Sequence, residues 1–309
     1  MAGFVAPDVL VLAGGGVLGE AWMTGVLAGI EDAAGVDLRR TESLVGTSAG
    51  AIVAAGLAAG RSPRRPPERS PPAAAGDVSP GDGARRRGSA VRAGLRVAGA
   101  WGWAATAPAA AAALAAGAPG GALVRSAVLA RMPSGGQRLD RLHAEVARSD
   151  VRFDGRLRVC CVDRRTGRRV VFGAPGAPPA SVADAVVASC AIPWVFEPVT
   201  IGGREYVDGG VWSVTNLDAA PAGRDTRVLC LDTIAGLDVS ARRSMSAMRA
   251  GFRVAAELEL QLLRRRGARV QHIVPDGDAA AAIGSDVMDA RPRAAVLAAG
   301  HRQGRALAS

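Results

Sequence analysis

Residues 8–19 read DVLVLAGGGVLG and residues 43–50 read SLVGTSAG, and the way these two stretches begin and end decides the fold. Residues 8–13 are a short β-rich apolar run, long enough for a buried strand and too short for a stable helix. The run stops in three glycines, after which residues 19–34 carry apolar side chains at helical spacing. Residues 43–47 form a second apolar run and residues 49–60 a helix of small residues. Strand, glycine turn, helix, strand, tight turn, helix is how a layered α/β domain begins.

The same rhythm returns further along the chain. Strands are predicted over 157–163 (LRVCCVD) and 169–172, a helix over 181–190, and a hairpin over 198–207 around Gly202-Gly203. A strand over 228–232, a long helix over 245–266, a strand over 270–274 and two helical stretches complete the pattern. No internal repeat is present.

Between the two halves the composition changes. Residues 61–92 hold six prolines, four glycines, eight arginines and three acids, Glu68, Asp77 and Asp82. Such a stretch buries too little apolar surface to order itself and is expected to be a disordered insertion. Residues 97–124 follow, 28 residues without a charge. A membrane span, a lid or interfacial segment, and Ala-rich cap helices packed on the protein are all considered. The interruptions at Gly99, Gly102, Pro108, Gly117 and Pro119, with alanine's weak partitioning, favour the cap. Trp101 and Trp103 are the residues that would meet a lipid interface.

The chain has no lysine, so all 38 basic residues are arginine, against 28 acids, for a net charge of +10. A phosphate-binding loop of the Walker type and Schiff-base catalysis both need a lysine, and both are excluded. With so much Ala, Gly and Arg the charge reflects a GC-rich codon bias, and no nucleic-acid partner is expected. Cys160, Cys161, Cys190 and Cys230 have no metal-ligand spacing and read as small core residues, so no metal site is expected. The first residues lack the basic region of a signal peptide, Ala2 stands where myristoylation requires glycine, and RALAS does not match a prenylation box, so none of these signals is expected. A cytoplasmic location is expected, with peripheral membrane contact through residues 61–124 as an addition to it.

Three motifs carry the chemistry. Gly46-Thr47-Ser48-Ala49-Gly50 fits G-x-S-x-G, which sets a serine on a sharp strand-to-helix turn with its hydroxyl exposed. Gly14-Gly15-Gly16-Val17-Leu18-Gly19 admits two functional readings. Gly14, Gly16 and Gly19 match the dinucleotide fingerprint, with Asp37 at the distance of a ribose-binding acid, which would make the protein an oxidoreductase. Alternatively the glycine N–H groups, beside a helix N-terminus, stabilise a carbonyl oxygen that turns negative during acyl transfer. Asp208-Gly209-Gly210 closes a strand-like run, which sets its carboxylate at the carboxyl edge of the sheet, where open α/β folds carry their sites.

In this order the three motifs resemble the patatin-like phospholipase family. The stretch Ala188-Ser189-Cys190-Ala191-Ile192-Pro193, with Phe196 and Pro198, is similar to the segment that precedes the family's aspartate, and Asn216 fits a recurring pattern after it. The resemblance implies a three-layer α/β/α fold with a mostly parallel central sheet, a catalytic domain over 8–221, and 222–309 completing that domain. It also implies hydrolysis of lipid or other acyl esters by a Ser48–Asp208 dyad without a cofactor. Gly14, Gly15, Gly16 and Ala49 would supply the oxyanion hole, with Gly19, Gly46, Gly50, Gly209 and Gly210 shaping the turns. The family commonly carries a basic residue where this chain has Leu18, which removes a charge beside the loop.

Two other readings stay in view. Ser48, Asp208 and His272 occur in the order of an α/β-hydrolase triad, but that fold needs several strands before its elbow, and His272 lies in an apolar run (VQHIV). His143 lies on a charged helical stretch, and His301 lies near the end of the sequence among arginines. A non-catalytic, membrane-associated scaffold would use the fold without the chemistry.

Overall fold

The computed structural model describes residues 4–63, 120–132, 134–237 and 243–309. Eight strands form one sheet: β1 (Val9–Leu12), β2 (Ser43–Gly46), β3 (Leu157–Asp163), β4 (Arg169–Phe172), β5 (Val199–Ile201), β6 (Arg204–Asp208), β7 (Arg227–Leu231) and β8 (Arg269–Ile273). The order is β5-β6-β3-β2-β1-β7-β8, with β4 attached to β3. The pairs along β3, β2, β1, β7 and β8 are parallel, whereas β4 and β6 join β3 antiparallel and β5 joins β6 antiparallel. Residues 222–309 thus extend the sheet beyond β1.

The described helices are α1 (Gly16–Ala34), α2 (Ala49–Ala58), α3 (Gly120–Arg131), α4 (Asp140–Ala147), α5 (Val182–Cys190), α6 (Arg243–Arg265), α7 (Gly277–Ile283) and α8 (Arg293–Ala308). They cover both faces, and β1 records this residue by residue. Leu10 and Leu12 enter the core that contains Trp22, Ile30, Ala54 and Val186, from α1, α2 and α5. Val9 and Val11 point the other way, into a second core with Leu260 and Leu263 of α6. Successive strand residues face opposite sides, so a strand buried on both faces must be apolar at every position. That explains the unbroken VLVL.

α1 and α8 pack with their backbones nearly in contact. A Cβ on Gly25 or Gly29 would strike the carbonyl oxygens of Leu297 and His301, and one on Gly300 or Gly304 those of Trp22 and Val26. Trp22 Nε1 donates to Gln303 Oε1 at 2.8 Å across the same contact. α8 therefore fixes the helix whose first turn continues the glycine loop.

The predicted elements fall close to the observed ones. α1 begins at Gly16, three residues earlier than the periodicity placed it, because Gly15 is its N-cap and the last glycine of the triplet is its first residue. The expected disordered insertion at 61–92 lies outside the described residues except for 61–63. The expected cap or lid at 97–124, with Trp101 and Trp103, lies outside them except for 120–124, which open α3. Among the described residues no helix is long and apolar enough to cross a membrane.

Candidate active site

The pairing of β3 brings the sequence-distant motifs together. β2 runs parallel to the first half of β3, with Gly46 opposite Val159, and β6 runs antiparallel to its second half, with Asp208 opposite Cys161. The ends of β2 and β6 therefore arrive two residues apart along the same strand. Ser48 follows the first end and Asp208 forms the second.

Ser48 is the N-cap of α2 at φ 52 and ψ −121, a conformation that a non-glycine residue adopts only under constraint. It is half-buried, while Thr47, Ala49 and Gly50 around it are buried, so its side chain stands clear of the turn. Gly50 makes the turn possible. A Cβ there would collide with the Leu12 carbonyl oxygen at the end of β1, so the first turn of α2 lies directly on the sheet edge. Ser189, near the end of α5, holds the strained residue from below. Its buried hydroxyl accepts the Ser48 N–H at 2.9 Å and donates to the Cys160 carbonyl at 2.7 Å.

Asp208 is 2% exposed, and its Oδ1 accepts the Gly210 N–H at 2.7 Å. Burial pushes its pKa up to about 7, against the opposing effects of the Gly210 N–H and the nearby Ser48 side chain. A carboxylate taken out of water resists ionisation, which here brings its titration near neutrality.

The loop after Asp208 joins all three motifs. Asn216, left-handed at φ 48, donates from Nδ2 to Thr47 Oγ1 in the elbow at 3.1 Å and to the Gly209 carbonyl at 3.3 Å. The Val214 carbonyl accepts the Gly14 N–H at 2.9 Å. Two anchors hold this loop in turn. Arg169 grips Asp218 with both terminal nitrogens and reaches Asn216 Oδ1 at 3.1 Å. Glu259 of α6, buried and with its pKa raised to about 7 chiefly by burial, accepts the Thr215 hydroxyl and the Leu217 N–H. Ser189, Arg169 and Glu259 received no role from the sequence, because a polar residue within an apolar run does not reveal its partner. Their signal was only that they stood in buried-looking stretches.

The bond from Gly14 to Val214 corrects one expectation. The Gly14 N–H is engaged inside the protein and is not free for an oxyanion. The N–H groups of Gly15, Gly16 and Ala49 have no acceptor among the described residues. All three belong to helix N-termini or their caps, where such donors are left over. Gly15 and Gly19 lie against the Thr233 side chain, Gly16 lies under Val287 and Met288, and Gly209 lies against Cys160. Leu18 points away from the loop into the core, fully buried, so a cation at that position would be buried too.

The other candidates are elsewhere. His272 lies on β8 beyond β7 and pairs with Asp232 at 3.2 Å. His143 pairs with Asp184, and His301 with Asp32. Asp37 caps the short turn Leu38–Arg40 ahead of β2, at the amino edge of the sheet, and its carboxylate is held by Arg39. A ribose-binding acid belongs at the opposite edge. The four cysteines are buried, and burial pushes the Cys160 thiol up to about 12, so it stays protonated as a core residue.

Comparison with curated proteins gives no match. The family model described as patatin-like phospholipase matches residues 10–221, which contain the glycine loop, the elbow and the Asp-Gly-Gly turn. An α/β sheet that gathers those three motifs at one edge, and a match over more than half its length, make this chain a member of the patatin-like phospholipase family.

Proposed function

We propose that the chain hydrolyses carboxylic esters of lipids through an acyl-serine intermediate on Ser48, with Asp208 as the only side-chain base. Family membership implies an acyl hydrolase acting on lipid or acyl-ester substrates. The finer reading is supported by one observation, the arrival of the strand ends that carry Ser48 and Asp208 two residues apart along β3, with the Asp208 carboxylate buried and its pKa raised to about 7.

The steps follow from the groups available. Asp208 accepts the Ser48 proton as the hydroxyl oxygen attacks the ester carbonyl carbon. The carbonyl oxygen becomes negative and is met by the N–H groups of Gly15, Gly16 and Ala49, each worth about 3 kcal/mol in sites of this kind. Collapse expels the alcohol, which takes the proton from Asp208. Water then attacks the acyl-serine, giving its proton to Asp208, and as the second tetrahedral intermediate collapses Asp208 returns that proton to the departing Ser48 oxygen and the carboxylic acid leaves. A carboxylate near its reference pKa of about 4 would be a poor base, and burial corrects this.

Labelling with a fluorophosphonate probe tests the nucleophile. Adduct formation on Ser48, located by peptide mass spectrometry and lost in Ser48→Ala, is expected. A folded protein that takes up no probe would instead support the non-catalytic scaffold.

A further inference from the structure

A second cluster of polar groups lies beside the site and plays no part in the steps above. α3 is fastened to the β3–β4 turn: Ser126 Oγ donates to the Arg165 carbonyl at 2.6 Å, and Arg125 Nε donates to the Gly167 carbonyl at 2.7 Å. Arg125 is 1% exposed, and its guanidinium lies 4.2 Å from the centroid of the Trp212 ring. With Nε spent on the anchor, both terminal nitrogens remain. Among the described residues neither has an acceptor, and neither does Trp212 Nε1, so the stacked pair carries three buried donors without a partner there.

The charges there do not balance. The guanidinium of Arg169 lies 5.3 Å from the same ring, but Asp218 neutralises it through two hydrogen bonds. Among the described residues Arg125 has no carboxylate partner. Buried from water and, to a smaller extent, facing the Arg169 charge, its guanidinium has its pKa lowered to about 10. A buried charge without a partner is strongly unfavourable, and cation–π stacking recovers only a few kcal/mol at most. Groups left this way in a folded protein call for an explanation.

We propose that Arg125 and Trp212 form an oxyanion-binding site that takes a phosphate group, free or carried on a lipid headgroup. The two terminal N–H groups of an anchored guanidinium form a planar fork that matches two oxygens of such an anion. A tetrahedral phosphate still presents a third oxygen to the indole N–H. Trp212 directly follows the short turn Gly209–Val211 that leaves Asp208, and Val207 and Val211 pack in the same apolar cluster as Leu129 of α3. An occupied site would therefore brace the loop that carries the candidate base. The inference does not depend on ester hydrolysis.

The test is thermal unfolding of the full chain in increasing inorganic phosphate, against chloride at matched ionic strength. A ligand that binds only the folded state raises Tm with concentration. Wild type is expected to gain stability with phosphate and not with chloride, and Arg125→Met to lose the response. Arg125→Met should also unfold at a higher temperature than wild type without phosphate, since it removes an unpaired buried charge and keeps an apolar stem. Trp212→Phe, which keeps the ring and deletes only the N–H, should weaken the response, and it serves if Arg125→Met does not fold. Glycerol 3-phosphate acting like phosphate marks a site open to a headgroup, and phosphate acting alone marks a free-anion site. Identical curves in phosphate and chloride, or a phosphate response kept by Arg125→Met, would overturn the proposal.

Discussion

At the scale of single residues, the candidate site is held together by a few buried polar atoms outside the Ser48–Asp208 pair. Asn216 joins the elbow to the Asp-Gly-Gly turn through Thr47 and Gly209, so Asn216→Ala leaves Thr47 Oγ1 without its amide donor and frees Gly209 to move. Losing buried hydrogen bonds of this kind costs about 1–3 kcal/mol. The expected outcome is a fall in kcat of roughly tenfold or more with KM little changed, read at a temperature where circular dichroism shows the variant folded. Ser189→Ala frees the Ser48 N–H and relaxes the positive φ, and slower fluorophosphonate labelling of Ser48 is expected. Ser48 and Asp208 were legible in the sequence because a nucleophile elbow and an acid at a strand end are local patterns. Ser189 and Glu259 were not, because what they do depends on a partner brought close only by the fold.

At the scale of elements, the helix–helix contact between α1 and α8 leaves no room for a side chain at its four glycines. Gly25→Val would push a branched side chain into the Leu297 carbonyl and force the helices apart. Overpacking of this kind costs about 1–3 kcal/mol or more. A lower denaturation midpoint at unchanged m-value is expected, with a smaller loss for an exposed control such as Val254→Ala. This contact was hidden in the sequence. Single glycines in a helical pattern read as weak points, and only the four-residue spacing of Gly25 with Gly29, and of Gly300 with Gly304, points to a shared face. The strands were easier to read, because VLVL, RVLCL and LRVCCVD are apolar at nearly every position, as burial on both faces requires.

At the scale of the whole molecule, activity and stability should respond to pH in opposite directions. Asp208 and Glu259 both have folded pKa values raised to about 7, above unfolded values of 3.8 and 4.5. Between those limits the folded state holds more protons than the unfolded state, so stability falls as pH rises toward 7. Over the same range Asp208 gains the charge a general base needs, so kcat/KM is expected to climb and to level off above about 7. Asp208→Asn removes the carboxylate's part of this cost, so its Tm should exceed that of wild type above pH 7 and match it more closely near pH 4. An active site commonly carries such a cost in stability.

The central claim is that Asp208 alone activates Ser48. It is tested most directly by kcat/KM for a single short-chain acyl ester, measured for wild type, Asp208→Asn and His272→Ala under one set of conditions. The account predicts a loss of at least about a thousandfold for Asp208→Asn, the scale seen when a residue of a catalytic unit is removed. It predicts near wild-type turnover for His272→Ala, because that ring is bonded to Asp232 on the far side of β7. Full activity in Asp208→Asn together with a dead His272→Ala would contradict it.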